Sequence, residues 1–69
     1  MTNTELLEDK IKASGKKKGY LAEKCNLSRA GFYNCMTNKA SFTPAQIDVL
    51  CAELGIKSLR EKNDIFFAK

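Results

Sequence analysis

Between Leu21 and Asn38 the apolar residues form two short helical stripes separated by a two-residue break, and this spacing constrains the chain more than any other feature. Leu21, Ala22 and Cys25 share one helix face, and the small Ala22 lets a second helix cross closely. Asn26 and Leu27 interrupt the pattern. Asparagine tolerates the left-handed backbone of a helix end, Leu27 is placed to plug the corner, and Ser28 is a good N-cap for the segment that follows. A new helix is therefore expected over about Arg29 to Thr37. Within it Phe32, Cys35 and Met36 recur at i, i+3 and i+4 and face a core. That leaves Arg29, Ala30, Tyr33, Asn34 and Thr37 on the opposite side, a surface that is polar, aromatic and basic.

The rest of the chain builds outward from this corner. Sixty-nine residues leave room for one domain, and a domain this small buries only about 60% of its unfolded surface, so every helix must contribute to one core. A first helix is expected from about Thr4 to Ala13, with Thr4 as its cap, acids Glu5, Glu8 and Asp9 in its first turns, and Leu7 with Ile11 as its core stripe. Ser14 and Gly15 end it, Lys16 and Lys17 connect, and a second helix begins near Lys18. Gly19 falls in its first turn at a cost of about 1 kcal/mol relative to Ala; close approach to a phosphate is one use for it. After a turn at Asn38 to Ser41, Phe42 packs inward, Thr43 caps a fourth helix with Pro44 at its first position, and Ile47, Leu50, Cys51 and Leu54 form its stripe before Gly55 stops it and Ile56 staples the stop. Ser58 caps a fifth helix with Leu59 and Ile65 or Phe66 on its apolar side. No strand alternation, repeat or low-complexity segment interrupts this pattern. The expectation is an all-α, compact five-helix bundle, one domain over 1–69, with the corner motif at about 18–38 and a C-terminal helix and tail at about 58–69.

Charge is unevenly placed. From Lys10 to Lys39 eight cations stand against the single acid Glu23, a local net charge of +7, whereas residues 43–69 are neutral. A basic segment that coincides with the corner motif is the footprint of a phosphate-backbone binder, although a lysine run alone more often marks a solvated face. Other functions are disfavoured by what is missing. There is no histidine, no carboxylate pair on one expected face and no Gly-rich phosphate loop, so neither an enzyme nor a cofactor is expected. Cys25, Cys35 and Cys51 are odd in number, lack Cys-x-x-Cys spacing and fall on expected core faces. They read as buried thiols in a reducing compartment, and no metal site is expected because the spacing offers no fourth ligand. Apolar runs such as Ile65 to Ala68 are far too short to span a bilayer, and the polar, acidic N-terminus is unlike a signal peptide, so a cytoplasmic location with no membrane partner is expected.

The run Leu21-Ala22-Glu23-Lys24, Cys25-Asn26, Leu27-Ser28-Arg29 resembles the DNA-binding domain of phage repressors and Cro-type regulators, the Xre-like helix-turn-helix family, whose usual pattern is Leu-Ala-Glu-Lys, a short turn, then Leu-Ser-Arg. The likeness covers roughly residues 5–60. It continues through Asn38-Lys39, where the family often has Asn-Gly-Lys, into Ile47, Leu50 and Leu54-Gly55-Ile56, which resembles the family's Leu-Gly-Val at the end of helix four. The tail Ile65-Phe66-Phe67-Ala68 is similar to small phage-encoded members with an aromatic C-terminus. Asn26 stands where the family usually has Gly, Lys18 where Gln is common, and Ala30 where Ser or Thr is frequent.

The resemblance implies a lambda-repressor-like bundle and a sequence-specific, double-stranded DNA-binding transcriptional regulator. It would be a Cro-like repressor of a phage or mobile element, acting in a bacterial host cell and reading an operator through the major groove. Carried over by position, it implies base contacts from Arg29, Ala30, Tyr33 and Asn34: Arg29 forked onto guanine O6 and N7, Asn34 bidentate on adenine, Ala30 against a thymine methyl. Phosphate contacts are implied for Lys17, Lys18, Ser28, Thr37, Asn38 and Lys39, together with amides at helix N-termini. Several of these have plainer alternatives: Asn34 as a solvated helix residue, Tyr33 as partial core cover, Lys16 and Lys17 as a solvated loop. Ile65, Phe66 and Phe67 carry more apolar surface than one short helix easily hides, which suggests a homodimer contact and hence a pseudo-palindromic operator; the alternative folds both rings back onto helices one and four. A competing expectation keeps the fold but has it grip another phage repressor as an antirepressor.

Overall fold

The computed structural model describes residues 1–68; Lys69, counted in the expected tail, lies outside them. Five helices follow one another, α1 (Thr4–Ser14), α2 (Lys18–Lys24), α3 (Arg29–Met36), α4 (Pro44–Leu54) and α5 (Leu59–Phe66), with no strand among the described residues. Four of the five begin at a side chain that accepts a first-turn amide, which satisfies donors the helix cannot satisfy itself. Ser28 accepts from Gly31 N–H at 3.0 Å and Ser58 from Glu61 N–H at 3.2 Å. Thr43 and Gln46 cap each other reciprocally ahead of α4. The cap of α1 is Asn3, not Thr4: Asn3 is extended and accepts from Leu6 N–H, whereas Thr4 already has helical backbone. α1 also runs one residue past the expected Ala13, because the Ser14 hydroxyl donates to the Ile11 carbonyl at 2.6 Å and stays inside the last turn. α2 alone has no side-chain cap, Lys17 standing at that position.

The helix ends are set by residues that enter the left-handed region. Asn26, at φ 58°, donates its N–H to Glu23 O while Leu27 N–H donates to Ala22 O at 2.9 Å, a paired closure that turns the chain sharply between α2 and α3. Asn38, at φ 62°, repeats it after α3, with Asn38 N–H to Cys35 O and Lys39 N–H to Asn34 O at 2.8 Å. Asparagine thus serves at both ends of the connection around α3, where its short polar side chain offsets part of the left-handed penalty.

Leu7, Leu21, Leu50 and Ile65 are fully buried, one from each of α1, α2, α4 and α5. α2 packs on α3 and α4, and α1 on α4 and α5. α3 contributes Phe32, Cys35 and Met36 to this core. Phe32 stands edge-on to Phe42 at 5.8 Å and Phe42 edge-on to Phe66 at 6.0 Å, an aromatic row linking α3 to α5. Leu27 packs half-buried against the core at the corner. Cys25 and Cys35 are buried and Cys51 is half-buried; burial pushes all three thiols up, away from the reactive thiolate.

Two expectations for the C-terminal segment are corrected. Ile65 and Phe66, expected at a dimer contact, are 1% and 3% exposed and belong to the core, which leaves Phe67 as the exposed member of the trio. Leu59, expected on the apolar side of α5, is exposed. The cause is where α5 is anchored: Asn3 N–H donates to Ile65 O at 2.6 Å and Phe66 joins the aromatic row, so burial is concentrated in its last turn.

Residues 1–3, ahead of α1, form an N-terminal strap that also reaches the turn after α3. Thr2 N–H donates to Asn38 Oδ1 and Asn38 Nδ2 donates to the Thr2 carbonyl, both at 3.0 Å. Replacing Asn38 with Ala removes both bonds and leaves a Cβ residue in the left-handed region without local compensation, so a loss of about 2 kcal/mol is expected in urea denaturation. Asn38→Gly keeps the backbone at ease and loses only the bonds; its loss should be about 1 kcal/mol. Equal losses for the two variants would remove the backbone part of this account.

Candidate nucleic-acid interface

With Phe32, Cys35 and Met36 turned inward, the 3.6-residue period leaves the opposite face of α3 to solvent. Arg29, Ala30, Tyr33 and Asn34 are all exposed there, Tyr33 by 62%. No residue of α3 is acidic. The Arg29 side chain leans across the start of α2, so that a β-carbon at Gly19 would stand 3.6 Å from Nη2. A β-carbon at that distance would make only an ordinary contact, so the placement of the guanidinium beside α2 does not by itself require glycine at position 19. Lys18, Arg29, Ala30 and Tyr33 together border an open groove between α2 and α3.

The expected phosphate ligands separate into two groups. Lys17 and Lys39 are exposed, with no carboxylate within ion-pair distance among the described residues. Lys18 pairs with Glu8 but is 52% exposed, and a surface pair of this kind yields readily to a competing anion. Ser28 accepts from Gly31 N–H through its oxygen, which leaves its own proton free for an outside acceptor. Thr37 does not fit the expectation, and Asn38 is engaged only in part. The Thr37 hydroxyl donates back to Tyr33 O at 3.0 Å and also lies 3.3 Å from Asn34 O, so its one proton is already used. The Asn38 amide accepts from Thr2 N–H through Oδ1 and spends one of its two Nδ2 protons on the Thr2 carbonyl, which leaves the second for an outside acceptor.

The fold also reduces the local charge of +7 counted along the sequence. Lys10 pairs with Glu61 at 2.7 Å, Lys16 with Glu53 at 2.9 Å, and Lys18 with Glu8, so acids from outside the basic segment meet three of its eight cations. Lys12, Lys17, Lys24, Arg29 and Lys39 have no such partner among the described residues. Lys24 instead lies 5.5 Å from the centre of the Tyr20 ring.

Lys16 is a structural lysine. Its ammonium donates to the Glu53 carbonyl oxygen at 2.7 Å as well as to the carboxylate, and Tyr20 OH donates to the same carboxylate oxygen at 3.0 Å, binding the α1–α2 connection to α4. These bonds, that from Lys16 foremost, hold the Glu53 carboxyl below its ordinary range. A depressed folded-state value means that the contribution of Glu53 is present above the ordinary carboxylate range, near pH 4.3, and is lost as pH falls through the folded value. Glu53→Gln should therefore be less stable than the parent at pH 7, and the two melting curves should converge as pH falls below that range. Parallel curves down to pH 2 would contradict the assignment.

Among the described residues no group of three or more His, Cys, Asp or Glu side chains could hold a metal ion, and no helix is long and apolar enough to cross a membrane. Comparison with protein-family models, with curated proteins and with solved structures found no match to this chain.

Proposed function

We propose that the protein is a sequence-specific double-stranded DNA-binding transcriptional regulator, a Cro-like repressor of a phage or mobile element in the cytoplasm of its bacterial host. In this reading α2 and α3 form a helix-turn-helix within a lambda-repressor-like bundle, and α3 enters the major groove while α2 crosses the backbone. The observation that carries the proposal is the outer face of α3: four exposed residues, none acidic, with Arg29 at the leading end and no carboxylate partner for it among the described residues. A guanidinium at a helix N-terminus opposes the helix dipole, so its position gains nothing from the helix itself and suits an external acceptor. Arg29 and Asn34 carry the side chains that read guanine and adenine bidentately, Ala30 offers a methyl contact, and Tyr33 lies in reach of a base or a phosphate. Lys17, Lys18, Ser28, Lys39 and the free Asn38 amide proton are the phosphate ligands that remain.

A homodimer on DNA completes the reading, with two copies of α3 about 34 Å apart on a pseudo-palindromic operator. Phe67, exposed beside the N-terminal strap, is the apolar group left for that contact. One ring of about 200 Å² falls far short of the ~800 Å² per partner of a stable interface, so pairing is expected on DNA rather than in dilute solution.

The test is a salt-series titration against a library of genomic fragments, followed by footprinting of the fragments retained at physiological salt. An operator at least about 10³-fold tighter than random DNA is expected. The unpaired Lys17 and Lys39 with the Glu8-paired Lys18, on two subunits, give a slope of log K against log salt between about −3.5 and −5.5. Weak binding without sequence preference would overturn the proposal and direct the search to a protein partner.

A further inference from the structure

An open groove lies between α2 and α3. Its volume is about 520 Å³, within the ~300–1,000 Å³ range of small-molecule sites, and it opens to solvent. Gly19, Ala22 and Ala30 line it with small side chains, and the few exposed atoms of Phe32 and Met36, together with Tyr33, make the lining apolar. At the rim lies the Arg29 guanidinium, beside Gly19 and without a carboxylate partner among the described residues. The groove of similar size between α1 and α5 differs in kind: its rim carries the Lys10–Glu61 pair with Asp9, Asp64 and Arg60, so charges of both signs already meet there. Of these two grooves, the one between α2 and α3 joins apolar side chains to a guanidinium with no carboxylate partner among the described residues.

We propose that this groove binds a small carboxylate with a flat apolar body, its carboxylate forked onto Arg29 and its body laid on Phe32 and Met36 beneath Tyr33. A guanidinium presents parallel N–H donors that match a carboxylate, and the sparsely polar floor disfavours a sugar or a nucleoside. The volume selects a ligand of small-molecule size over a protein helix. The consequence for regulation rests on the DNA-binding reading above: a ligand that engages Arg29 and fills the space beside α3 excludes DNA, so the compound would act as an inducer.

The experiment titrates the full chain with 1-naphthoate in the absence of DNA, followed by amide chemical shifts and calorimetry. Saturable binding is expected, with the largest shifts at Gly19, Ala22, Ala30 and Tyr33. The neutral isostere 1-naphthalenemethanol should bind about 10-fold more weakly or worse, and Arg29→Met should lose about the same factor towards naphthoate. Gly19→Leu fills the groove and displaces the Arg29 guanidinium that lies against Gly19, and should abolish binding, its melting curve verifying the fold. Shifts centred elsewhere, equal affinity for the neutral isostere, or undiminished binding by Gly19→Leu would each overturn the site. Because DNA is absent, the outcome is independent of operator binding: a chain that binds DNA but not naphthoate loses only this proposal, and one that binds naphthoate but not DNA loses only the proposed function.

Discussion

Phe66→Ala is expected to lower folding stability by about 3–5 kcal/mol, a large part of what a chain of this length possesses at roughly 0.05–0.15 kcal/mol per residue. Phe66 is 3% exposed and closes the aromatic row that runs through Phe42 to Phe32. Its truncation leaves a cavity that the structure has little freedom to fill, because the end of α5 is tied to the N-terminal strap by the bond from Asn3 N–H to Ile65 O. The helix cannot slide inward without breaking that bond, and the edge contact with Phe42 is lost besides. Phe67, one residue on and 55% exposed, should behave oppositely: Phe67→Ala is expected to change stability by no more than about 0.5 kcal/mol and to act on pairing over a two-half-site operator. Urea denaturation at constant m reads the first effect, and binding to one against two half-sites reads the second. A Phe66→Ala loss under 1 kcal/mol would mean that the row is not packed as described.

What could be read from the sequence was local, and what could not was long-range. The corner between α2 and α3 is legible because its determinants, Asn26, Leu27 and the Ser28 cap, lie within three residues and act on their own neighbours. The exposed face of α3 follows just as directly, as the complement of the Phe32, Cys35 and Met36 stripe. Three consecutive apolar residues at 65–67 carry no periodicity to say which is outermost; the rotation of α5 depends on Asn3, more than sixty positions away. Charge fails for the same reason. Lys16 meets Glu53 across 37 positions, and Asn38 meets Thr2 across 36, so a local window sees a free cation and a free amide where the fold provides partners. Thr37 is a different case: a hydroxyl near a helix end commonly bonds the carbonyl one turn back, and that tendency was there to be read.

On the proposed DNA-binding reading, Arg29→Ala should weaken operator binding by about 1–3 kcal/mol, roughly 5- to 150-fold, while affinity for random DNA changes much less. The asymmetry comes from geometry. A fork of donors on the first turn of α3 is matched by guanine O6 and N7 and by no other base edge, so its loss relaxes one base pair of each half-site rather than the grip on the backbone. Lys18→Ala provides the internal contrast. Its ammonium pairs with Glu8 in the free protein, and moving to a phosphate exchanges one surface ion pair for another. Its removal should therefore weaken all sequences alike, by less than an unpaired lysine would, and flatten the salt slope by no more than about 0.9 per subunit. Lys39, which has no such partner among the described residues, should show the full change in slope when replaced by Ala. Titrations of the three variants on operator and random DNA at two salt concentrations separate these roles. If Arg29→Ala weakens both DNAs equally, Arg29 holds phosphate, and sequence reading would then fall to Tyr33 and Asn34.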